Sequence, residues 1–329
     1  MVNNKALIVK YNGSYYLPAV RDLFDLPLVG AIGGTSFISG ETLGQSGNAG
    51  ECRYRDLQQQ LETSTSENFV VMPLYPYGPL EDISVAGNVM FAAPMEAKDA
   101  SVGRLLGTDD RGRDVFARMA YGFKVSISFA LLVALLEYLI GIPLGAAMGY
   151  FGGKFDMGMQ RFIEIWQSLP YLFLIIIIVS IFRPSFILLV TFISLFAWIG
   201  PAAQMRAQFY REKTRDYVAA AISIGVPTWQ ILIKHILPNS LVPIITFFPF
   251  AVVGGIAALV SLDFLGFGLA PPTPSWGEMV GVGLAHVTDG YWWLVLVPLS
   301  AMFFTLILVT FIGEGIREAF DPKVFSRLR

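Results

Sequence analysis

Residues Tyr217 to Asn239 read YVAAAISIGVPTWQILIKHILPN, and the rest of the chain is organised around them. The stretch is amphipathic and sits between two strongly apolar runs. Asp216 can cap a first short helix, Tyr217 to Ile224, by accepting a backbone N–H. Gly225 then suits the left-handed residue that closes a helix. Pro227 fits the first turn of a second helix. Pro238 lacks an N–H and helps to end it. The expectation is helix, glycine turn, helix, with a small-residue surface at Ala219, Ala220 and Ala221 that a large partner can approach closely.

Working outward, five apolar segments surround this loop: Val125 to Gly149, Phe162 to Phe182, Phe186 to Met205, Leu241 to Leu262 and Trp293 to Gly313. Each has about 20 residues or more, and 20 residues at a rise of 1.5 Å cross roughly 30 Å of hydrocarbon. Their backbones must be helical, because lipid offers no other hydrogen-bond partners. Composition agrees: of 329 residues, 54% are apolar and 15% charged, against about 25% charged in soluble proteins. The class is an all-α, multi-pass membrane protein. A net charge of −2 gives no hint of a nucleic-acid partner, and Cys52, the single cysteine, cannot form an intrachain disulfide.

Orientation follows from the basic residues. The loop 206–240 carries Arg206, Arg211, Lys213, Arg215 and Lys234, whereas Asp263 to Trp292 carries neither Lys nor Arg. The tail 317–329 holds Arg317, Lys323, Arg327 and Arg329. The central loop and the C-terminus therefore face the cytoplasm, and residues 1–119 form an extracytoplasmic segment ahead of a membrane domain over 120–316. No apolar core of signal-peptide length follows the first lysines. Within the outer segment, Asn12-Gly13 is a hairpin signal between Ala6–Lys10 and Ser14–Val20. Gly30 to Gly50 is a glycine-rich loop, and Arg53 to Glu62 can form a short helix. Tyr75 and Tyr77, between Pro73 and Pro79, more often pack in such a setting than bind a ligand. In Leu106 to Gly122, Thr108 and Asp109 read as helix-cap residues, and Arg113, Asp114 and Arg118 are spaced to pair on a helix.

Three motifs carry a resemblance. Ala220-Ala221-xxx-Gly225 with Leu237-Pro238 is similar to the cytoplasmic loop of ATP-binding-cassette (ABC) importer permeases, with Ala219 where that family usually has Glu. The segment LGTDDRGRDVFARMAYG, starting at Leu106, resembles the one preceding a span in dipeptide and oligopeptide permeases. SLDFLGFGLAPPTPSWG, Ser261 to Gly277, resembles the family's Ser-Phe-Leu-Gly…Pro-Ser-Trp-Gly turn. The form with Asp263, and the opening KALIVKYNGSYYLPAV, look more like the Yej-type peptide and microcin C permeases. The resemblance implies the type I importer fold, a bacterial inner-membrane location and the import of peptides or peptide-like compounds. Nickel or another small solute is the alternative cargo. It also implies a second permease subunit, ATP-binding subunits that dock on the loop, and an extracytoplasmic solute-binding protein. His235, Leu237 and Pro238 join Ala219 to Ala221 and Gly225 as the loop's coupling residues. Such permeases have six spans with both ends inside, so the first span is expected to be missing and the chain to be N-terminally short. Export dependent on the first remaining span is the alternative.

Other residues leave two readings each. Glu137 lies near the middle of the first span, and Gly141, Gly145 and Gly149 follow it on one helical face. Small residues at this spacing let helices approach closely. A carboxyl there faces protein or water rather than lipid, so it either lines the substrate path or packs as a protonated residue. Asp263 either meets the amino terminus of a peptide or caps an irregular turn. The Asp109-Asp110 pair has no further cation ligands near it in sequence. Gly152-Gly153-Lys154 lacks the upstream glycine and the hydroxyl of a phosphate-binding loop, and His235 and His286 stand in no metal-spaced cluster. No catalytic group, cofactor site or metal site is expected, ATP being used by the partner subunit. An ion-coupled secondary transporter would need coupling-ion groups or a broken-helix repeat, and Glu137 is the only acidic residue near a span centre.

Overall fold

The structure, a computed structural model, describes residues 4–19, 38–45, 52–62, 68–81, 89–95 and 104–320. Most of the glycine-rich stretch 30–50 and the tail beyond Phe320 lie outside them. The chain divides into two compact units: Met1–Val125 with Pro271–Ala301, and Ser126–Ala270 with Met302–Arg329. The sequence reading did not anticipate that residues 271–301 group with the N-terminal segment.

In the first unit, strands β1 (Ile8–Tyr11) and β2 (Ser14–Tyr16) form a hairpin with Tyr11 opposite Ser14. Asn12 and Gly13 both have positive φ, as a tight two-residue turn demands. Strand β3 (Phe69–Val71) pairs antiparallel on the other side of β1, giving the order β2-β1-β3. Helix α1 (Tyr54–Glu62) contributes Tyr54 and Leu57 to a small core with Val9, Leu43, Cys52 and Val70. Tyr75 and Tyr77 are buried, and Tyr75 packs edge-on against Phe116 at 4.9 Å.

Helix α2 (Val115–Phe151) follows directly on Asp114. The Asp114 carboxylate accepts from the Ala117 N–H at 2.7 Å, so Asp114 is the cap, not Thr108 or Asp109. Thr108 instead bridges the backbone, donating to the Val89 carbonyl at 2.6 Å and accepting from the Ala92 N–H at 2.8 Å. Arg113 and Arg118 pair with Asp109 and Glu278 rather than with Asp114. Arg113 Nε reaches Asp109 at 2.7 Å, Arg118 Nε reaches Asp109 at 3.5 Å, and Arg118 Nη2 donates to Glu278. Glu278 stands in the first turn of α11 (Trp276–His286), where Ser275 caps its N–H at 3.2 Å. A buried arginine is tolerable only when paired and hydrogen-bonded, and two carboxylates meet that need here.

The second unit is helical. α3 (Gly153–Ser168) and α4 (Tyr171–Ile181) are bent by 66° at Leu169-Pro170, where one straight span over 162–182 was expected. Proline at the break removes a backbone donor and disfavours helix in the residue before it. α5 (Phe186–Ala197) and α6 (Ile199–Glu212) run on as one apolar helix, seven residues past Met205. α7 (Asp216–Ser223), α8 (Thr228–Gln230), a π-helical turn (Ile231–Ile236) and α9 (Leu237–Ile245) precede α10 (Phe248–Phe264). α12 (Trp293–Phe320) closes the described chain. Among the described residues, three helices are long and apolar enough to cross a membrane: Val115–Phe151, Phe186–Glu212 and Trp293–Ala319. The bent α3–α4 pair is long and apolar enough for a fourth when taken as one span, and α10 is a shorter apolar helix.

The α2 glycines show why small residues stand there. A Cβ on Gly141 would lie 2.6 Å from the Trp198 carbonyl oxygen, and one on Gly149 2.5 Å from that of Arg206. One on Gly145 would overlap the Ala202 carbonyl. α2 and α6 therefore touch backbone to backbone over two turns.

Candidate functional site

α6 delivers the chain into the loop, and Lys213 ties that point to α2 by donating to the Tyr150 carbonyl at 2.7 Å. Glu212 is buried, accepts from the Tyr217 hydroxyl at 3.0 Å and lies 3.7 Å from Arg215 Nε. Burial first, and then this bond to Glu212, hold the Tyr217 phenol above its ordinary pKa, against the pull of Asn239. Arg215 is the residue preceding α7, and Asp216 is the first residue inside it, so the aspartate makes no cap. Asp216 instead adds negative charge to the first turn, which favours the helix dipole.

α7 presents two faces. Val218 and Ala221 point inward against Met205, Phe209, Ile231, Ile236 and Ile244. Ala221 is only 6% exposed, so it belongs to this core and not to the outer surface where the sequence grouped it with its neighbours. Ala219, Ala220, Ile222 and Ser223 face out. The helix ends in a double hydrogen bond: Val226 N–H to the Ala221 carbonyl at 3.0 Å and Gly225 N–H to that of Ile222 at 3.0 Å. That pattern requires a left-handed residue between them, and Gly225 has φ +77°. Val226 then packs on the same core.

The second helix does not stop at Pro238. α8, the π turn and α9 are continuous, with Pro238 in the first turn of α9. The widened turn moves the bonding partners: the Leu237 N–H reaches the Leu232 carbonyl, five residues back. The Asn239 amide donates to the His235 carbonyl at 2.8 Å, satisfying an acceptor near the proline. His235 and Leu237 are half-buried and Pro238 is exposed.

The loop also carries large apolar side chains that face outward, and the sequence reading missed them. Ile224 is 80% exposed, Ile222 58%, Trp229 55% and Ile233 55%. Ala219 and Ala220 are exposed as well, in a loop that also exposes Arg211 and Arg215. The available signal was an excess of apolar residues: Val218, Ala221, Ile231 and Ile236 already fill the inward stripe, leaving Ile222, Ile224, Trp229 and Ile233 for the other side.

The other singled-out residues lie apart from the loop. Glu137 is 7% exposed, one turn ahead of Gly141 on α2, and so is turned into the unit. Asp263 lies in the last turn of α10. Its carboxylate accepts from the Leu269 N–H at 2.7 Å, and a Cβ on Gly268 would collide with it. Gly266, at φ +81°, closes α10 with the same double bond as Gly225, from the Phe267 and Gly266 N–H groups.

Comparison with known proteins follows the same lines. The profile of a family described as "Binding-protein-dependent transport system inner membrane component" matches residues 141–326. The chain is 36% identical over 327 residues to the "Peptidoglycan transport system permease protein YejE" of Agrobacterium fabrum, covering 98% of this chain and 84% of that one. It is 36% identical over 325 residues to the "Inner membrane ABC transporter permease protein YejE" of Escherichia coli, covering 98% and 87%. With the "Oligopeptide transport system permease protein OppC" of Haemophilus influenzae, identity is 39% over 237 residues, 72% of this chain and 74% of that one.

Proposed function

We propose a working role from one premise: the chain belongs to the family of binding-protein-dependent transport system inner membrane components, and is the permease subunit of an ABC importer. It is a multi-pass inner-membrane protein, and permeases of this family work with ATP-binding and substrate-binding proteins. Our reading is that the cargo is a peptide or peptide-like compound, supported by relatives named for peptidoglycan and oligopeptide transport. A second permease subunit would complete the pathway. The chain itself would hold no ATPase site, and its C-terminus would face the cytoplasm, as the basic loop residues imply.

The observation that carries the reading is the apolar surface of Ile222, Ile224, Trp229 and Ile233, displayed by a loop whose own core is already filled. An exposed apolar patch with a polar rim marks an interaction site, and in this reading the ATP-binding subunit covers it. Large apolar anchors of this kind contribute about 2 kcal/mol each, so Trp229→Asp or Ile224→Asp should weaken co-purification of the ATPase on the order of 30-fold. The companion test is uptake of labelled short peptides into vesicles carrying the full importer. Uptake should require ATP and the binding protein. Uptake driven by an ion gradient alone, or an ATPase retained by both variants, would overturn the reading.

A further inference from the structure

The search outside the loop leads to α3. No residue of this 16-residue helix is buried among the described residues, yet both of its ends are joints. Gly152 precedes it and Gly153 opens it, both at positive φ, +60° and +53°. A Cβ at Gly153 would meet nothing within 4 Å, so backbone conformation and not crowding calls for glycine here. At the other end stands the 66° bend before α4. α3 is thus a straight rod between a glycine turn and a proline bend, held to its neighbours by few attachments.

Two of those attachments are specific. Near the glycine joint, Arg206 of α6 grips Asp156 of α3 with both arms of its fork: Nε to Oδ1 and Nη2 to Oδ2, each at 2.6 Å. Gln160, one turn further along, lies against the same guanidinium, and with its amide oxygen turned towards Arg206 it accepts from Nη2 at 2.8 Å. Near the far end, Trp166 donates to the Leu195 carbonyl at 3.2 Å and stacks on Phe196 at 5.2 Å. The paired geometry of arginine and carboxylate fixes direction as well as distance, unlike a point charge. Arg206 also sits on the helix that enters the docking loop six residues later, and the glycine stripe locks that helix to α2.

We propose that the Asp156–Arg206 clamp transmits movement of the loop into α3, and that Asp156, Gln160 and Arg206 are positioning residues for transport. When the ATP-binding subunits displace the loop, α6 and α2 move as one packed pair. α3, free to pivot at Gly152-Gly153, follows because the fork holds it. Without the fork the ATPase still docks and still turns over, but α3 no longer follows. The device is a hinge with a polar tie, and it rests on the docking role proposed for the loop.

The test separates the two ideas. Asp156→Asn, Arg206→Lys and the exchanged pair Asp156→Arg with Arg206→Asp are assembled with the full importer, beside Trp229→Asp. Three quantities are read: ATPase co-purification, basal ATP hydrolysis and peptide uptake per ATP hydrolysed. The expected result is that Asp156→Asn and Arg206→Lys keep the ATPase and its basal hydrolysis, while uptake per ATP falls on the order of tenfold. The exchanged pair should recover a substantial part of it. Normal uptake per ATP in both single variants overturns the clamp and leaves the docking reading standing. Loss of the ATPase from the clamp variants also overturns it, since the pair would then only support the docking surface. Retention of the ATPase by Trp229→Asp sinks the docking reading itself.

Discussion

Gly225 has open space where a Cβ would stand, so replacing it adds strain and no collision. A β-branched residue at φ +77° costs about 1–3 kcal/mol, which a short surface helix relieves by fraying. Gly225→Val should therefore insert normally but lose the ATPase in detergent co-purification, and Gly225→Asn, which tolerates that conformation, should keep most of it. Ala221 behaves otherwise. Because it lies against Met205, Phe209 and Ile244, Ala221→Glu buries a charge in the loop's own core and should lower the yield of folded protein. Ala220→Glu, on the outer side, should spare the yield and weaken docking; equal yields of the two would remove this assignment. Asp114 sets a third case. Burial pushes its carboxyl above its ordinary pKa, against the Ala117 N–H, the Tyr75 hydroxyl at 2.7 Å and Arg104. The folded state then binds this proton more tightly than the unfolded chain, so stability falls as pH rises from the unfolded value of about 3.9 through the folded one. Tyr75→Phe removes a donor to the ionised form and moves the folded value higher still. Its deficit in thermal stability should be about 1–2 kcal/mol near neutrality and shrink in acid; a deficit independent of pH would contradict the hydrogen-bond account.

Elements were legible where one local pattern decides them. Asn12-Gly13 gives its hairpin and Gly225 its left-handed turn, because each needs only a backbone angle that few residues adopt. Glu137 to Gly149 gives a close-packed face for the same reason: no other side chain fits against a carbonyl. Gly145→Leu should accordingly cost well over 1–3 kcal/mol of packing strain and abolish accumulation in the membrane, while Leu144→Ile should leave expression and uptake near normal; similar behaviour of the two would count against the contact. The π turn before Pro238 escaped the sequence because period and proline both pointed to a stop there. The helix instead shifts its hydrogen bonds by one residue and runs on through the proline. The bend in α3–α4 escaped because an unbroken apolar run hides it, although Pro170 marks the place. The Ser275 cap on the Glu278 N–H was visible as spacing, but Ser275 lay inside a stretch read only as a turn.

At the scale of the molecule, the basic residues of the central loop set the expected topology. Cys52 is a poor reporter of it, being 4% exposed and part of the small core around Val9 and Leu57. A better probe replaces Cys52 with Ala and adds Tyr15→Cys, at a position 66% exposed. A membrane-impermeant thiol reagent should label that variant in intact spheroplasts, and label Ser223→Cys in the same background only after lysis. The reverse pattern would invert the protein in the membrane.

The Arg118–Glu278 pair also sets a timetable for synthesis. The partners are 160 residues apart, and the Trp293 indole meets the Thr108 carbonyl across 185. At a ribosomal pace of about 5–20 residues per second, Arg118 has Asp109 beside it from the start but waits on the order of ten to thirty seconds for its second carboxylate. During that interval the nascent N-terminal half carries an arginine site awaiting its ligand, a ready mark for a membrane protease or chaperone. A chain stalled before Pro271 should thus be cleared quickly in a pulse-chase experiment, and Arg118→Met, which needs no counter-charge, should lengthen the life of that stalled fragment.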